Sequence, residues 1–239
     1  MSGHSKWSTI KRKKGAADAK RGVIFTRLSK DISLAARQGG GDIDMNPSLR
    51  LAVKKAKSAN MPSANIERAI KKGTGDLPGV KFEDFEYEGY GPHSVAILIE
   101  VMTDNKNRTL PEIRSIMTKN GGNLGESGCV NWMFERKGIL SIKSSNINED
   151  DLMEILDHID IEDINIDDEF YEIITKPDDF QNTNTALESQ NIEFEGELSL
   201  VPQNLIQLSI EEADKVVKLL ELIENHDDVQ KVHTNFEII

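Results

Sequence analysis

Seven cations fall within sixteen residues near the start of the chain: Lys6, Lys11, Arg12, Lys13, Lys14, Lys20 and Arg21. Such a segment, interleaved with Gly and polar residues, neutralises the phosphates of a polyanion and releases its counter-ions, which gives affinity without reading sequence. A solvated tail kept for solubility is the plain alternative. Trp7, lodged among these charges, either stacks on an unpaired base or pins the segment to the fold. A second basic set follows in Arg50, Lys54, Lys55 and Lys57, and a third in Arg68, Lys71 and Lys72. Arg50, Lys54 and Lys57 are spaced three and four apart and therefore share one helical face. Together with the tail, these residues form a candidate nucleic-acid surface.

Other constellations carry weaker chemistry. The segment Thr103–Thr109 ends where Thr109 and Glu112 are spaced as a capping box, so the amides there, with Asn107, Arg108 and Thr109, are either an anion contact or a well-capped turn. Gly121, Gly122, Gly125 and Gly128 complete neither a P-loop nor a dinucleotide fingerprint and read as turns before a strand, so no cofactor is expected. The acids Asp150, Asp151, Asp157, Asp160, Glu162, Asp163, Asp167, Asp168 and Glu169 are dense enough for a divalent ion, as a metal-dependent nuclease requires. They alternate with Leu and Ile at helix and strand spacing, which makes most of them a solvated face. No metal site is expected. His4, His93, His158, His226 and His233 are scattered without a nucleophile nearby, and Cys129 reads as a small buried residue, so no catalytic residue is assigned.

The elements that position these residues divide by charge. Of 29 Lys+Arg and 41 Asp+Glu, residues 1–75 hold 17 and 5, and residues 76–239 hold 12 and 36. A net of +12 is thus joined to a net of −24, which suits a basic module for a polyanion and an acidic body that does not coat it. With 38% hydrophobic and 29% charged residues the composition is that of a soluble folded protein. The longest aliphatic run, Val95–Ile99, is too short for a bilayer, and one cysteine excludes a disulfide framework, so the cytoplasm is the expected location.

The basic third reads as three helices: one over 17–38 stopped by Gly39–Gly41, one begun by Asn46 and Pro47, and a short one around Ile66, Ala69 and Ile70. Their apolar stripes can be buried only against one another. Helices two and three, joined through Asn60–Pro62, also permit a helix-turn-helix on paper, with Asn65, Glu67 and Arg68 facing bases. The acidic remainder opens with a strand over Val95–Met102, a helix with Ile113, Ile116 and Met117, and a strand over Val130–Phe134. The segments 138–143, 149–159, 163–168, 170–175, 178–189 and 192–201 then run βαββαβ, the split βαβ order of a ferredoxin-like unit. A strand over 205–208, a helix capped by Ser209 and Glu212, and a strand over 229–236 complete the chain. The expected fold class is multidomain α and α+β: a three-helix bundle over 1–76, an α+β domain over 77–135 with 204–239, and a ferredoxin-like domain over 136–203 inserted into it.

The chain also resembles the YebC/PmpR family. The likeness rests on GHSKW at Gly3–Trp7, DAKRG at Asp18–Gly22, NMP and NIERAIKKGTG within Asn60–Gly75, YEGYGP at Tyr87–Pro92, TDNKNRT at Thr103–Thr109, GGNLGESG at Gly121–Gly128 and DDVQKVHTNFEI at Asp227–Ile238. It is weakest over 140–190, and it departs at His93, Ser94, Cys129 and His233. The resemblance implies the same three-domain organisation. It further implies a non-enzymatic regulator of gene expression. The usual description in the family is a DNA-binding transcriptional regulator; the alternative is a translational activator that binds ribosomal or transfer RNA on the ribosome, including at proline-rich stretches. Nucleic acid is the expected partner in both cases, with a protein partner open for the acidic domains, no membrane, and a monomer or weak oligomer.

Overall fold

The structure, a computed structural model, describes residues 21–76, 82–167 and 169–239, and of residues 21–24 and 27 the backbone alone. By internal contacts the described chain forms two compact units. One comprises the described residues through Asn131 together with Leu208–Val232; the other comprises Trp132–Gln207 with His233–Ile239.

The first unit begins with helices α1 (Arg21–Gly39), α2 (Pro47–Ser58) and α3 (Ser63–Thr74). The third helix, expected to be short, is twelve residues long, as is the second. Ile32 and Ala36 of α1, Leu49 and Val53 of α2, and Ile66 and Ala69 of α3 form one buried cluster, so each apolar stripe is covered by the other two helices. Asn46 fixes the first corner. Its Oδ1 accepts from the Leu49 amide at 3.0 Å and caps α2, while its Nδ2 donates to the carbonyls of Ala35 at 2.8 Å and Gly40 at 2.9 Å. Helices α1 and α3 approach closely because Gly73 has no side chain: a Cβ there would lie 2.2 Å from the Ser33 carbonyl oxygen. Beside it the Ser33 hydroxyl donates to the Ala69 carbonyl at 2.8 Å.

The same unit carries β1 (Glu83–Tyr90), β2 (Ala96–Thr103), helix α4 (Lys106–Lys119) and β3 (Asn123–Leu124). Helix α7 (Ile210–Glu224) and β9 (Val229–Thr234) return from the far end of the sequence. The sheet order is β3-β1-β2-β9, so the late strand pairs beside the early one, as the pairing of the two sequence segments implies. Strand β1 is an addition to the sequence reading. Four of its eight residues are carboxylates, which hides the strand period; its antiparallel ladder with β2, from Glu83 opposite Thr103 to Tyr90 opposite Ala96, supplies the order.

Two local expectations are corrected. Helix α4 is capped by Asn105, whose side chain accepts from the Arg108 amide, and not by Thr109 with Glu112. Thr109 lies fully buried inside the first turn, its hydroxyl drawn to Thr103 and Asp228. The strand expected over Val130–Phe134 is instead a 3-10 turn over Asn131–Met133 followed by β4 from Phe134, because the amides of Val130 and Asn131 are taken by the Glu88 carboxylate and join no ladder. The Ser209–Glu212 capping box of α7 is present.

The second unit contains β4 (Phe134–Lys143), α5 (Glu149–Leu156), β5 (Ile161–Ile166), β6 (Phe170–Thr175), α6 (Phe180–Ser189) and β7 (Phe194–Pro202). Its sheet runs β5-β6-β4-β7 with every neighbouring pair antiparallel, the ferredoxin-like arrangement. Leu140, Ile142, Tyr171 and Ile173 of the sheet bury against Leu152, Leu156 and Leu187 of the helices. The last expected strand divides in two, because the Asn235 carbonyl accepts from the Ile206 amide at 2.8 Å. Beyond that point β10 (Phe236–Ile238) pairs with β8 (Ile206–Leu208) instead of continuing β9. No helix among the described residues is long and apolar enough to cross a membrane.

Candidate nucleic-acid interface

The amphipathic periods that bury the bundle's apolar stripes turn its cations outward. Lys54, Lys55 and Lys57 on α2 and Arg68 and Lys71 on α3 are exposed, and their side chains make no ion pair or hydrogen bond among the described residues. A solvated ammonium or guanidinium of this kind keeps its full charge for a phosphate. Leu51, 53% exposed, lies one turn before Lys54 and Lys55, so the basic face of α2 also has an apolar spot that the charge pattern alone did not single out. Lys6, Trp7, Lys11, Arg12, Lys13, Lys14 and Lys20 lie outside the described residues, as does the side chain of Arg21.

Two cations of the expected surface are occupied within the fold. Arg50 donates through Nε to the Ile43 carbonyl at 3.1 Å and through Nη2 to the Asp44 carbonyl at 2.5 Å, which fastens the loop ahead of α2. Lys72 is half-buried, with Nζ 5.0 Å from the centre of the Phe82 ring and 4.0 Å from Asp228. Burial holds its pKa below the ordinary lysine value, although Asp228, Asp227 and Asp104 pull the other way.

Asp228 is the centre of a buried polar cluster that sequence reasoning missed. It is 4% exposed and accepts from Thr109 at 2.7 Å, Arg108 at 2.8 Å and Thr103 at 3.0 Å. Burial pushes its carboxyl up, and the bonds from Arg108, Thr109 and Thr103 outweigh that and hold it below the usual range. The Arg108 guanidinium is correspondingly held in its charged form, chiefly by the bond to Asp228. The residues read as a possible anion contact, Asn107, Arg108 and Thr109, are therefore in the first turn of α4, and the anion that Arg108 and Thr109 meet is the chain's own.

The glycine-rich segment repeats this pattern. Glu88, 4% exposed on β1, accepts from the amides of Gly128 at 2.7 Å, Val130 at 2.8 Å and Asn131 at 2.8 Å. Burial raises its pKa and the three amides more than reverse the shift, leaving it below the ordinary glutamate value. A row of convergent amides is an anion cradle, and here an internal carboxylate fills it. The signal at Glu88 is faint: a carboxylate between an aromatic and a glycine, Tyr87-Glu88-Gly89, in a segment whose carboxylates hide its strand period. Asp228 had none, being the second of two adjacent aspartates.

The acids from Asp150 to Glu169 stay apart. Lys137 pairs with Glu162 at 2.7 Å, Lys176 pairs with Asp160 at 2.7 Å, the Asp151 carboxylate accepts from the Asn148 side-chain amide at 2.7 Å, and that of Asp167 accepts from the backbone amides of Glu169 and Phe170. No three His, Cys, Asp or Glu side chains converge as a ligand set among the described residues, and Asp168 lies outside them.

Comparison with known proteins follows the same division. The family model for the TACO1/YebC protein N-terminal domain matches residues 5–76, and the model for the TACO1/YebC second and third domain matches residues 82–236. A probable transcriptional regulatory protein of Desulforapulum autotrophicum is 53% identical over 239 residues, covering 100% of this chain and 97% of the relative. Another of that name from Halothermothrix orenii is 52% identical over 242 residues, covering 100% and 96%. A crystal structure of a conserved hypothetical protein from Aquifex aeolicus aligns with a TM-score of 0.75 at 43% identity, over 93% of this chain and 92% of that one.

Proposed function

The chain belongs to the TACO1/YebC family, and from that premise we propose that it is a non-enzymatic, nucleic-acid-binding regulator of transcription whose basic bundle grips the phosphates of duplex DNA. One observation carries the reading: five exposed cations whose side chains have no internal partner among the described residues, Lys54, Lys55, Lys57, Arg68 and Lys71, lie on two packed helices of the bundle, while the convergent donors at the glycine-rich loop and at the start of α4 are already taken by Glu88 and Asp228. The names of the similar bacterial proteins support the transcriptional role.

In this reading residues 1–76 supply the affinity, with Lys6, Lys11, Arg12, Lys13, Lys14, Lys20 and Arg21 following the backbone and Trp7 stacking or anchoring. The acidic residues over 77–135 with 204–239 and over 136–203 repel the polyanion, and so orient the protein on it, or meet a protein partner. Contacts of this kind are to phosphate, so affinity falls steeply with salt and varies little with sequence. The test is to crosslink the protein to nucleic acid in cells and sequence what is attached. Discrete promoter fragments are the expected result. Recovery of ribosomal and transfer RNA would overturn the transcriptional reading in favour of translation, and recovery of neither would remove the nucleic-acid reading.

A further inference from the structure

Three cations of the bundle face inward, onto the sheet layer of their own unit, and each meets a different oxygen. Lys30 of α1 donates to the carbonyl of Glu224 at the C-terminal end of α7, where the helix dipole is negative. Arg37 of α1 pairs with Asp84 of β1, and its other terminal nitrogen lies 3.0 Å from the sulfur of Met102 on β2. Lys72 of α3 faces Asp228 at 4.0 Å over the Phe82 ring. Among the described residues the bundle's buried cluster is formed by its own residues with Phe25, Leu28, Ile43 and Ile70 packed against it, and includes none from the sheet.

We propose that these contacts form an electrostatic latch: Asp84, Asp228 and the end of α7 hold Arg37, Lys72 and Lys30 in the closed arrangement, and nucleic-acid phosphates compete for the same cations. Binding and opening are then coupled, and by linkage anything that loosens the latch strengthens binding. The inference rests on the reading that the bundle grips phosphates.

The contacts have the strength such a device needs. Arg37 and Asp84 keep 38% and 55% of their side-chain surface in water, so their attraction is screened and reversible. Lys72 bears a burial penalty that its carboxylate neighbours do not fully offset. The Tyr87 hydroxyl, on a buried residue of β1, also senses Asp228 and has no hydrogen-bond partner among the described residues. The closed seam thus leaves the burial cost of Lys72 only partly offset, which a phosphate reached by opening would relieve. Asp228 itself is not short of partners, since Arg108, Thr103 and Thr109 keep it in place when Lys72 leaves.

The test uses the full chain and a labelled duplex DNA of random sequence. Asp84→Asn frees Arg37 without touching the buried cluster. It should tighten binding at low salt by about two- to fivefold, the range expected for releasing one exposed pair. It should also steepen the dependence of log K on log salt by about 0.9, one added phosphate contact. The gain should vanish when Arg37→Ala is combined with it. Glu86→Gln, which removes an equal charge from an exposed position on the same strand, controls for general repulsion. The latch is overturned if Asp84→Asn and Glu86→Gln change affinity and slope alike, or if the gain survives loss of Arg37. Lys54→Ala with Lys57→Ala tells failure of the latch from failure of the grip beneath it. Weakened binding there with no effect of Asp84→Asn removes the latch alone; unchanged binding there removes the phosphate-gripping reading as well.

Discussion

The helical bundle and the sheet layer beside it both present groups that attract anions, and they treat those groups in opposite ways. On the bundle the cations at 54, 55, 57, 68 and 71 stand in solvent without counter-ions among the described residues. In the sheet layer, amides and a guanidinium converge at two places, and a buried carboxylate occupies each: Glu88 at the glycine-rich loop and Asp228 at the start of α4. The difference teaches that a glycine-rich loop or a helix start announces an anion but not whose anion it is. The same hydrogen bonds that bind a phosphate in one protein order a loop in another, and burial of the acceptor separates the cases.

Perturbations of the two regions should therefore differ in kind. The largest effect is expected from Asp228→Ala, which removes the carboxylate that accepts from Arg108 and from the buried hydroxyls of Thr103 and Thr109; unfolding in urea should show a drop of about 3 to 5 kcal/mol. Asp163→Ala, on the exposed strand β5, should stay within about 0.5 kcal/mol by the same measurement. Equal drops would erase the distinction between internal and solvated carboxylates. Replacing Lys54, Lys55, Lys57, Arg68 and Lys71 together by Ala should do the reverse. Stability should hold, while affinity for DNA, read by fluorescence anisotropy, falls on the order of a hundredfold and the salt slope flattens by about 0.9 for each phosphate that is no longer neutralised.

A smaller change is expected from Glu88→Gln. It keeps the shape, surrenders the charge that three amides share, and should cost about 1 to 3 kcal/mol in thermal or urea unfolding without altering DNA affinity. The pH dependence gives the finest resolution. Glu88 and Asp228 both have folded pKa values below the ordinary carboxylate range. Their contribution is therefore fully present above the unfolded values, about 4, and is lost as the pH falls through the lower folded ones. Urea midpoints measured at pH 7, 4 and 3 should drop for the native chain. They should drop less for Glu88→Gln, since one of the two titrating groups has been removed. A rise in stability on acidification would contradict the cause assigned to both shifts.

Much of this was legible in the chain itself. The stripe Leu49, Ala52, Val53 and Ala56, the Asn46-Pro47 start, the Ser209-Glu212 box and the βαββαβ order follow from local periods and caps, which act over a few residues and leave their signature in spacing. The charge split was equally plain, because it is a sum over residues and needs no coordinates. The tertiary structure decided what depends on contacts between distant positions. Strand β1 carries too many carboxylates to show its period and exists through pairing with β2. Thr109 is not a cap, because Asp228, 119 residues away, draws its hydroxyl inward. Arg50 and Lys72 match the outward cations in sequence, yet one is folded onto its own loop and the other onto a buried aspartate. Residue type and period determine which groups carry charge and which face of a helix they share; whether a charge meets solvent or a partner depends on which segment packs over it, and that is set only when remote parts of the chain come together.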